Sequence, residues 1–293
     1  MTAQLIDGEA IAAQIRADVA ARVQALLARG VTPGLAALIV GENPASISYV
    51  SSKTRDCAEV GIFSETFRLP ADSSHADVIA LIQRLNADSR FHAILPQLPM
   101  PAQVDERAVI DSMDPRKDAD GLHPQSLGRL LRGDLDGAIP CTPNGIMELL
   151  ARTGIDPGGK HVVVVGRSTL IGRPLAVLLS NKAKGANATV TICHTGTTDL
   201  SRHTRQADIV VLAAGQRNML TKDMCMPGVV VIDVGVNRVD APSRPSGFRL
   251  VGDAAMDVRE VASYVTPYTG GVGPMTRAML LVNTVRAAER AAG

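Results

Sequence analysis

The chain has 293 residues, 46% of them hydrophobic and 20% charged, a composition that builds packed cores in one large or two modest domains rather than a disordered chain. Its 30 Lys and Arg nearly cancel 29 Asp and Glu, and aromatics are only 2% with no Trp, so neither a basic face nor a stacking platform points to nucleic acid or an anionic membrane. Cys57, Cys141, Cys193 and Cys225 are scattered without metal-finger spacing, and no apolar run approaches the roughly 20 residues of a membrane helix. The expectation is a soluble, cytoplasmic protein with no structural zinc.

The first element is an amphipathic helix over residues 8–29. Ile11, Ile15, Val19, Val23 and Leu26 form one stripe, and Gly30 ends it. GLAALIVG (34–41) reads as a buried strand, and residues 44–60 as a helix with Pro44 in its first turn. A strand from Phe63 to Leu69, a helix over 74–86 and a strand from Phe91 to Gln97 continue the alternation. Strands alternating with helices imply βαβ units and a mainly parallel sheet. The rhythm breaks over 114–145, where DPRKDADGLHP and GAIPCTPNG read as a hinge. A second alternation follows: strand KHVVVVG, a helix from about Leu170 to Asn181, strand ATVTIC, a short helix near 199–206, and strands DIVVLAAG and VVVIDVG. The loop TPYTGGVGP leads into a last helix over about 275–291.

Two stretches carry chemistry. In HVVVVGRSTLIGRPLAVLL (161–179), an apolar strand delivers Gly166, where the backbone turns tightly. Arg167 and Ser168 supply a cation and a hydroxyl, Gly172 permits close helix packing, and the helix N-terminus offers N–H groups to a pyrophosphate. The spacing is not GxGxxG, and an ordinary strand–turn–helix is the bland alternative. The next strand ends in His194, Thr195 and Gly196 with no acid at its tip. An imidazole, a hydroxyl and nearby Arg167 suit a 2′-phosphate better than a free ribose, which favours NADP over NAD. Asp199 is expected to cap the following helix.

In the helix over 44–60, Ser46, Tyr49 and Lys53 share one face. A hydroxyl, a phenol and an amine on one stripe suit a ligand wall, with a solvated polar face as the plainer reading. A lysine becomes a useful proton carrier if burial lowers its ordinary pKa of about 10.4. Gln97 stands at the carboxyl end of a strand, where open α/β sheets place ligands. Asp120, in KDADG, is a second polar candidate or a simple turn residue.

ENPASISYVSSK, PQLPMP, PRKDADGLHP, PCTPNG, GRSTLIGRP, IDVGVN and TGGVGPMT come in that order, and together they resemble the bifunctional methylenetetrahydrofolate dehydrogenase/cyclohydrolases from about residue 5 to about residue 290. The resemblance implies two α/β domains separated by a cleft. One is an N-terminal catalytic domain, residues 1–140 completed by the C-terminal helix 274–293. The other is a Rossmann-type, doubly wound NADP-binding domain over 141–273. It implies oxidation of 5,10-methylenetetrahydrofolate with NADP, hydrolysis of the methenyl product to 10-formyltetrahydrofolate, and a homodimer formed through the Rossmann domains. By position, Lys53 is implied as general acid/base, Gln97 as its orienting partner, Tyr49 as the ring that stacks on folate and Asp120 as the carboxylate that binds the pterin. Ser46 and Leu98 join the substrate wall, and Gly270, Gly271, Val272 and Gly273 form the loop between substrate and nicotinamide. Gly166, Arg167, Ser168, Thr195 and Ile232 are implied as NADP contacts, and no metal is required. Rival readings are a dehydrogenase of a small acid, for which only His75, His92 and His123 are on offer, and a non-enzymatic nucleotide-binding module.

Four positions depart from the family pattern. Ser126 stands where Asn is usual, Ala254 where Val follows GD, Gly196 where many members have a basic residue, and Tyr268-Thr269 where Val-Pro is usual. Losing that proline loosens the loop, and Tyr268 adds a ring that can repack against folate. Replacing Tyr268-Thr269 with Val-Pro is expected to change the affinity for folate or a folate-site inhibitor while leaving the chemistry intact. Titration of both variants with one inhibitor checks this, and identical affinities would contradict it.

Overall fold

A computed structural model describes residues 2–243 and 247–293. The first half runs β1 (Gln4–Leu5), α1 (Gly8–Leu27), β2 (Gly34–Val40), α2 (Pro44–Val60), β3 (Phe63–Leu69), α3 (His75–Ala87) and β4 (Ala93–Pro96). Helices α4 (Glu106–Asp111), α5 (Pro124–Leu131) and α6 (Cys141–Thr153) follow. The second half runs β5 (His161–Val165), α7 (Gly172–Ser180), β6 (Thr189–Cys193), α8 (Leu200–Thr204), β7 (Ile209–Leu212), β8 (Val230–Asp233), β9 (Asn237–Asp240), β10 (Phe248–Val251), β11 (Tyr264–Val265) and α9 (Val272–Ala292). Two compact units result. One comprises Met1–Ala12 with Thr142–Thr276, the other Ala13–Cys141 with Arg277–Gly293.

The second of these is built on a three-stranded parallel sheet in the order β3-β2-β4. Every residue of β2 is buried, which is why GLAALIV reads as a continuous apolar run rather than an alternating one. Ile15, Val19, Val23 and Leu26 of α1 are at most 3% exposed, so the stripe seen in the sequence is the buried face. Asn43 caps α2, its Oδ1 accepting from Ala45 N at 2.9 Å and Ser46 N at 3.2 Å, and Gly61 ends the helix at φ 84°. Residues 114–145 are more than a hinge. They hold α5 and the start of α6, with Pro124 at the first position of α5 and the His123 side chain accepting from Gln125 N. Proline reads as a loop signal in sequence, but here it opens a helix.

The other unit carries a six-stranded sheet in the order β1-β11-β8-β7-β5-β6. All its pairings are parallel. The strand order reverses at β5, flanked by β6 on one side and β7 on the other, so the carboxyl end of β5 is the topological switch point of a doubly wound fold. A β9–β10 hairpin, absent from the sequence reading, is appended. Gln4 and Leu5 pair with Tyr264 and Val265, so the first strand joins the six-stranded sheet. A two-residue strand carries no readable period.

Within the three-stranded unit, Asn283 on α9 ties down the segment around α5. Its Nδ2 donates to Ala119 O and Ile139 O at 2.9 Å each, and the side chain is 1% exposed. Asn283→Leu strands two buried carbonyls. It is expected to cost about 2–4 kcal/mol, read as a lower thermal midpoint. A midpoint equal to wild type would contradict this.

Candidate active site

Lys53, Tyr49, Gln97 and Asp120 all fall in the three-stranded unit. Lys53 lies on α2 and is 3% exposed. Its Nζ donates to Gln97 Oε1 at 3.3 Å and sits 4.5 Å from the centroid of the Tyr49 ring. Gln97 follows β4 directly, and its Nε2 donates to Leu98 O at 2.7 Å. The carboxamide is thereby fixed with its oxygen toward the amine, which fits a buried amine that must keep a partner. Ser46, one turn before Tyr49, is buried, and Leu98 is half-buried.

Asp120 is placed by a residue the sequence reading did not single out. Asp118 accepts from Gly121 N at 2.9 Å and His123 N at 2.8 Å, and takes a further hydrogen bond from the Ser126 side chain. Burial raises the Asp118 pKa above its ordinary value, and these donors oppose that shift. Ser126, a departure from the family pattern, is therefore a support of this loop. Gly121 has φ 73°, and a Cβ there would collide with the Ile139–Pro140 backbone. Burial, then the Asp120 carboxylate, then Cys141 hold the Tyr49 phenol well above its ordinary pKa, so the ring stays protonated and neutral. Asp56, one turn beyond Lys53, pairs with Arg277 of α9 at 3.3 Å. Its i+3 spacing from Lys53 was the available signal.

The three histidines of the rival reading are spent locally. Nδ1 of His92 accepts from Gly34 N at 3.2 Å, that of His75 from Asp105 N at 3.4 Å, and that of His123 from Gln125 N at 3.0 Å.

The six-stranded unit holds the residues expected to take a dinucleotide. Gly166 leaves β5 at φ 132°, and an added Cβ would collide with Ala213 O. A Cβ on Gly172 would collide with Gly166 O. Both glycines are thus required by close backbone approach. Ser168 Oγ accepts from Ile171 N at 3.1 Å, which leaves its hydroxyl proton to donate. No side chain caps α7, and Arg167 is exposed. This cradle fits the phosphates of a dinucleotide. Thr195 and Gly196 are exposed beyond β6, and Asp199 caps α8 through Arg202 N at 3.2 Å instead of standing at the strand tip. His194 is partly spent, its Nδ1 accepting from Gly196 N at 3.0 Å.

Ile232, implied as a cofactor contact, is 0% exposed within β8 with its side chain in the core. Val236, beyond the carboxyl end of that strand, is 59% exposed. The Gly270–Gly273 loop is anchored by its own backbone. Glu9 N donates to Gly270 O at 3.0 Å, and a Cβ on Gly271 would collide with Pro267 O. Val272 is buried at the start of α9, while a Cβ on Gly273 would meet open space.

A buried amine held by a carboxamide at a strand's carboxyl end, and a glycine-pinned phosphate cradle at a switch point, define a two-unit α/β enzyme of the dinucleotide-dependent class. Family models agree in both halves. The catalytic domain of tetrahydrofolate dehydrogenase/cyclohydrolase matches residues 6–120, and its NAD(P)-binding domain matches residues 140–292. The chain belongs to the tetrahydrofolate dehydrogenase/cyclohydrolase family. It is 53% identical to the bifunctional protein FolD of Delftia acidovorans, covering 100% of both chains. The structure of FolD from Campylobacter jejuni matches with a TM-score of 0.92 at 44% identity, covering 98% of this chain and 99% of that one. A Trypanosoma brucei FolD complexed with NADP cofactor and inhibitor matches with a TM-score of 0.93 at 39% identity, covering 99% of each.

The four cysteines are all buried. Burial pushes the Cys57 thiol up to about 12 and that of Cys225 to about 11, and it raises Cys193 and Cys141 as well. Thiolate is the reactive form, so the native protein at pH 8 is expected to react with a disulfide reagent far more slowly than a free thiol, with all four titrating on unfolding. Rapid labelling of any cysteine in the native state would contradict this.

Proposed function

We propose that the chain is a bifunctional one-carbon enzyme that oxidises 5,10-methylenetetrahydrofolate to the methenyl form with NADP and then hydrolyses it to 10-formyltetrahydrofolate. The observation that carries the reading is the buried Lys53 amine, held by Gln97 against the Tyr49 ring. When bound, the dinucleotide supplies the hydride acceptor. The Gly166–Ser168 turn and Thr195 would hold its phosphates, and Val236 and Gly273 would border its reactive end. Without a carboxylate at the tip of β6, the site favours the 2′-phosphate, with Arg167 as its cation.

In the catalytic unit, Tyr49 provides a neutral ring against the pterin and Asp120 accepts hydrogen bonds from it, with Ser46 and Leu98 completing the wall. The methenyl carbon is already part of a cationic amidinium, so hydrolysis needs positioned water and one proton carrier more than a strong nucleophile. Water adds to that carbon, and Lys53 Nζ takes one of its protons. The bond from the carbon to N5 then breaks as Lys53 returns a proton to N5, and the second water proton goes to solvent. Gln97 keeps Nζ aimed throughout.

The proposed assembly is a homodimer through the six-stranded units, whose edge strand β6 leaves Ile192 38% exposed. Among the described residues no helix is long and apolar enough to cross a membrane. Four buried free thiols suit a reducing compartment, and the cytoplasm is the proposed location.

Incubation of purified protein with 5,10-methylenetetrahydrofolate and NADP⁺ or NAD⁺ tests the reading, with reduced nicotinamide and folate products followed together. Wild type is expected to reduce NADP⁺ and release 10-formyltetrahydrofolate. Lys53→Met should lose roughly 10²-fold or more of the hydrolytic step, the scale of a general acid–base contribution. Turnover with NAD⁺ alone would overturn the cofactor assignment, and full hydrolysis by Lys53→Met would overturn the role of Lys53.

A further inference from the structure

The three-stranded unit holds a cavity of about 450 Å³ that none of the roles above uses. A hollow of this size takes a small organic molecule rather than a single ion. Arg116, Lys117, Arg129 and Arg290 line it, and Asp114 is the one carboxylate in its wall among the described residues. It lies away from Lys53 and Gln97. Phe91 and His92 of the wall precede the amino end of β4, whereas Gln97 follows the carboxyl end of that strand.

The charges in this wall do not cancel. Arg116 is paired with Asp114 at 2.6 Å, and Arg129 with Asp134 at 2.8 Å. Lys117 and Arg290 pair with no carboxylate among the described residues. Lys117 Nζ donates to Leu85 O at 3.0 Å and Asp88 O at 2.8 Å, and Arg290 Nη1 donates to Asp136 O at 2.7 Å. Two positive charges are left over, and like charges in one hollow repel each other unless an anion joins them. Burial, then the Arg129 and Arg286 cations, push the Arg290 pKa below the ordinary guanidinium range. Donors are left over as well. An ammonium has three N–H groups and a guanidinium five, so each of these cations keeps at least one. His92 adds another. Its Nδ1 accepts from Gly34 N, and burial, then Lys117, hold its pKa below the ordinary value. The neutral ring therefore carries its proton on Nε2, which has no partner among the described residues.

We propose that this cavity binds the phosphate monoester of a small ring-bearing molecule. Two unpaired cations match the roughly two negative charges that such a group carries at pH 7. Its three terminal oxygens can accept from several sides at once, and the donors here come from α5, from α9 and from the segment 114–117. A carboxylate, with two oxygens and one charge, would leave part of this set unmet. The apolar part of the wall, Ala87, Phe91, Ala287 and Ala291, suits the body of the ring, and the His92 Nε2–H remains for a polar atom on its edge. The site needs neither folate nor the dinucleotide.

Calorimetric titration of the full chain with phenyl phosphate, inorganic phosphate and phenol tests this, with NADP⁺ present at saturation to keep the dinucleotide cradle occupied. The variants are Arg290→Ala, Arg290→Lys and, as a charge control, Arg107→Ala, an exposed arginine of α4 outside this wall. Arg290 is itself exposed near the end of α9, and the thermal midpoint reports that each variant is folded. Wild type is expected to bind phenyl phosphate with a Kd of roughly 0.1 mM, about tenfold or more tighter than inorganic phosphate or phenol. Arg290→Ala should weaken phenyl phosphate about tenfold, the scale of one charge-assisted contact, Arg290→Lys should retain part of the affinity, and Arg107→Ala should leave it unchanged. Failure of wild type to bind phenyl phosphate at millimolar concentration would overturn the site, and so would equal binding by Arg290→Ala, which would place the ligand elsewhere. Inorganic phosphate binding as tightly would reduce the cavity to a site for the free ion and overturn the ring-bearing ligand. Phenol binding as tightly would overturn recognition of the phosphoryl group.

Discussion

A buried amine has to be partnered, and the catalytic unit is arranged around that constraint. Lys53 is almost fully removed from water, and its donor is met by Gln97 Oε1 at 3.3 Å and by the face of Tyr49. Each neighbour is in turn fixed by local chemistry. Asn43 and Gly61 set the limits of α2, so Ser46, Tyr49 and Lys53 keep one face. Gln97 stands at the end of β4 with its amide nitrogen committed to Leu98 O, which leaves only its oxygen for Lys53. Asp118 and Ser126 stiffen the turn that carries Asp120. Nothing in this set is a strong nucleophile. The arrangement supplies placement and a proton carrier, which matches a substrate carbon that is already electrophilic.

The six-stranded unit solves a different problem, the close approach of a phosphate to backbone. Gly166 and Gly172 have no room for a Cβ because each lies against a carbonyl oxygen of a neighbouring segment. The same economy appears at Asp233 and Asp253, two buried carboxylates that accept backbone N–H groups. Asp253 Oδ2 takes Ala214 N at 3.0 Å and Gly215 N at 2.9 Å. These saturated acids fasten the loops at the carboxyl ends of β7 and β8, and that is why the IDVG and GD segments read as motifs although their acids are structural.

Much of this was legible in the sequence because period and punctuation agree. The α1 stripe, the apolar β2 and β5 runs, and the helix beginning at Pro44 each carry a local signal strong enough to stand alone. The shared face of Ser46, Tyr49 and Lys53 and the strand-end position of Gln97 followed from the same geometry. What was missed lacks such a signal. Strand β1 is two residues long, and α5 and α6 start within a Pro- and Gly-rich stretch that reads as loop. Alternation along a strand buried on both faces does not say which residue clears its end, and at β8 the exposed residue beyond it is Val236. The supporting Asp118 could not be separated from Asp120 by sequence, since two acids in KDADG look alike until the turn is folded.

The central claim is that Gln97 acts through Lys53 rather than beside it. A double-mutant cycle on the hydrolytic step, with Lys53→Met, Gln97→Ala and the two combined, measures this directly. The account predicts strong non-additivity, with the double variant hydrolysing methenyltetrahydrofolate no more slowly than Lys53→Met alone. Additive losses, with the double variant slower by the product of the two single effects, would contradict it.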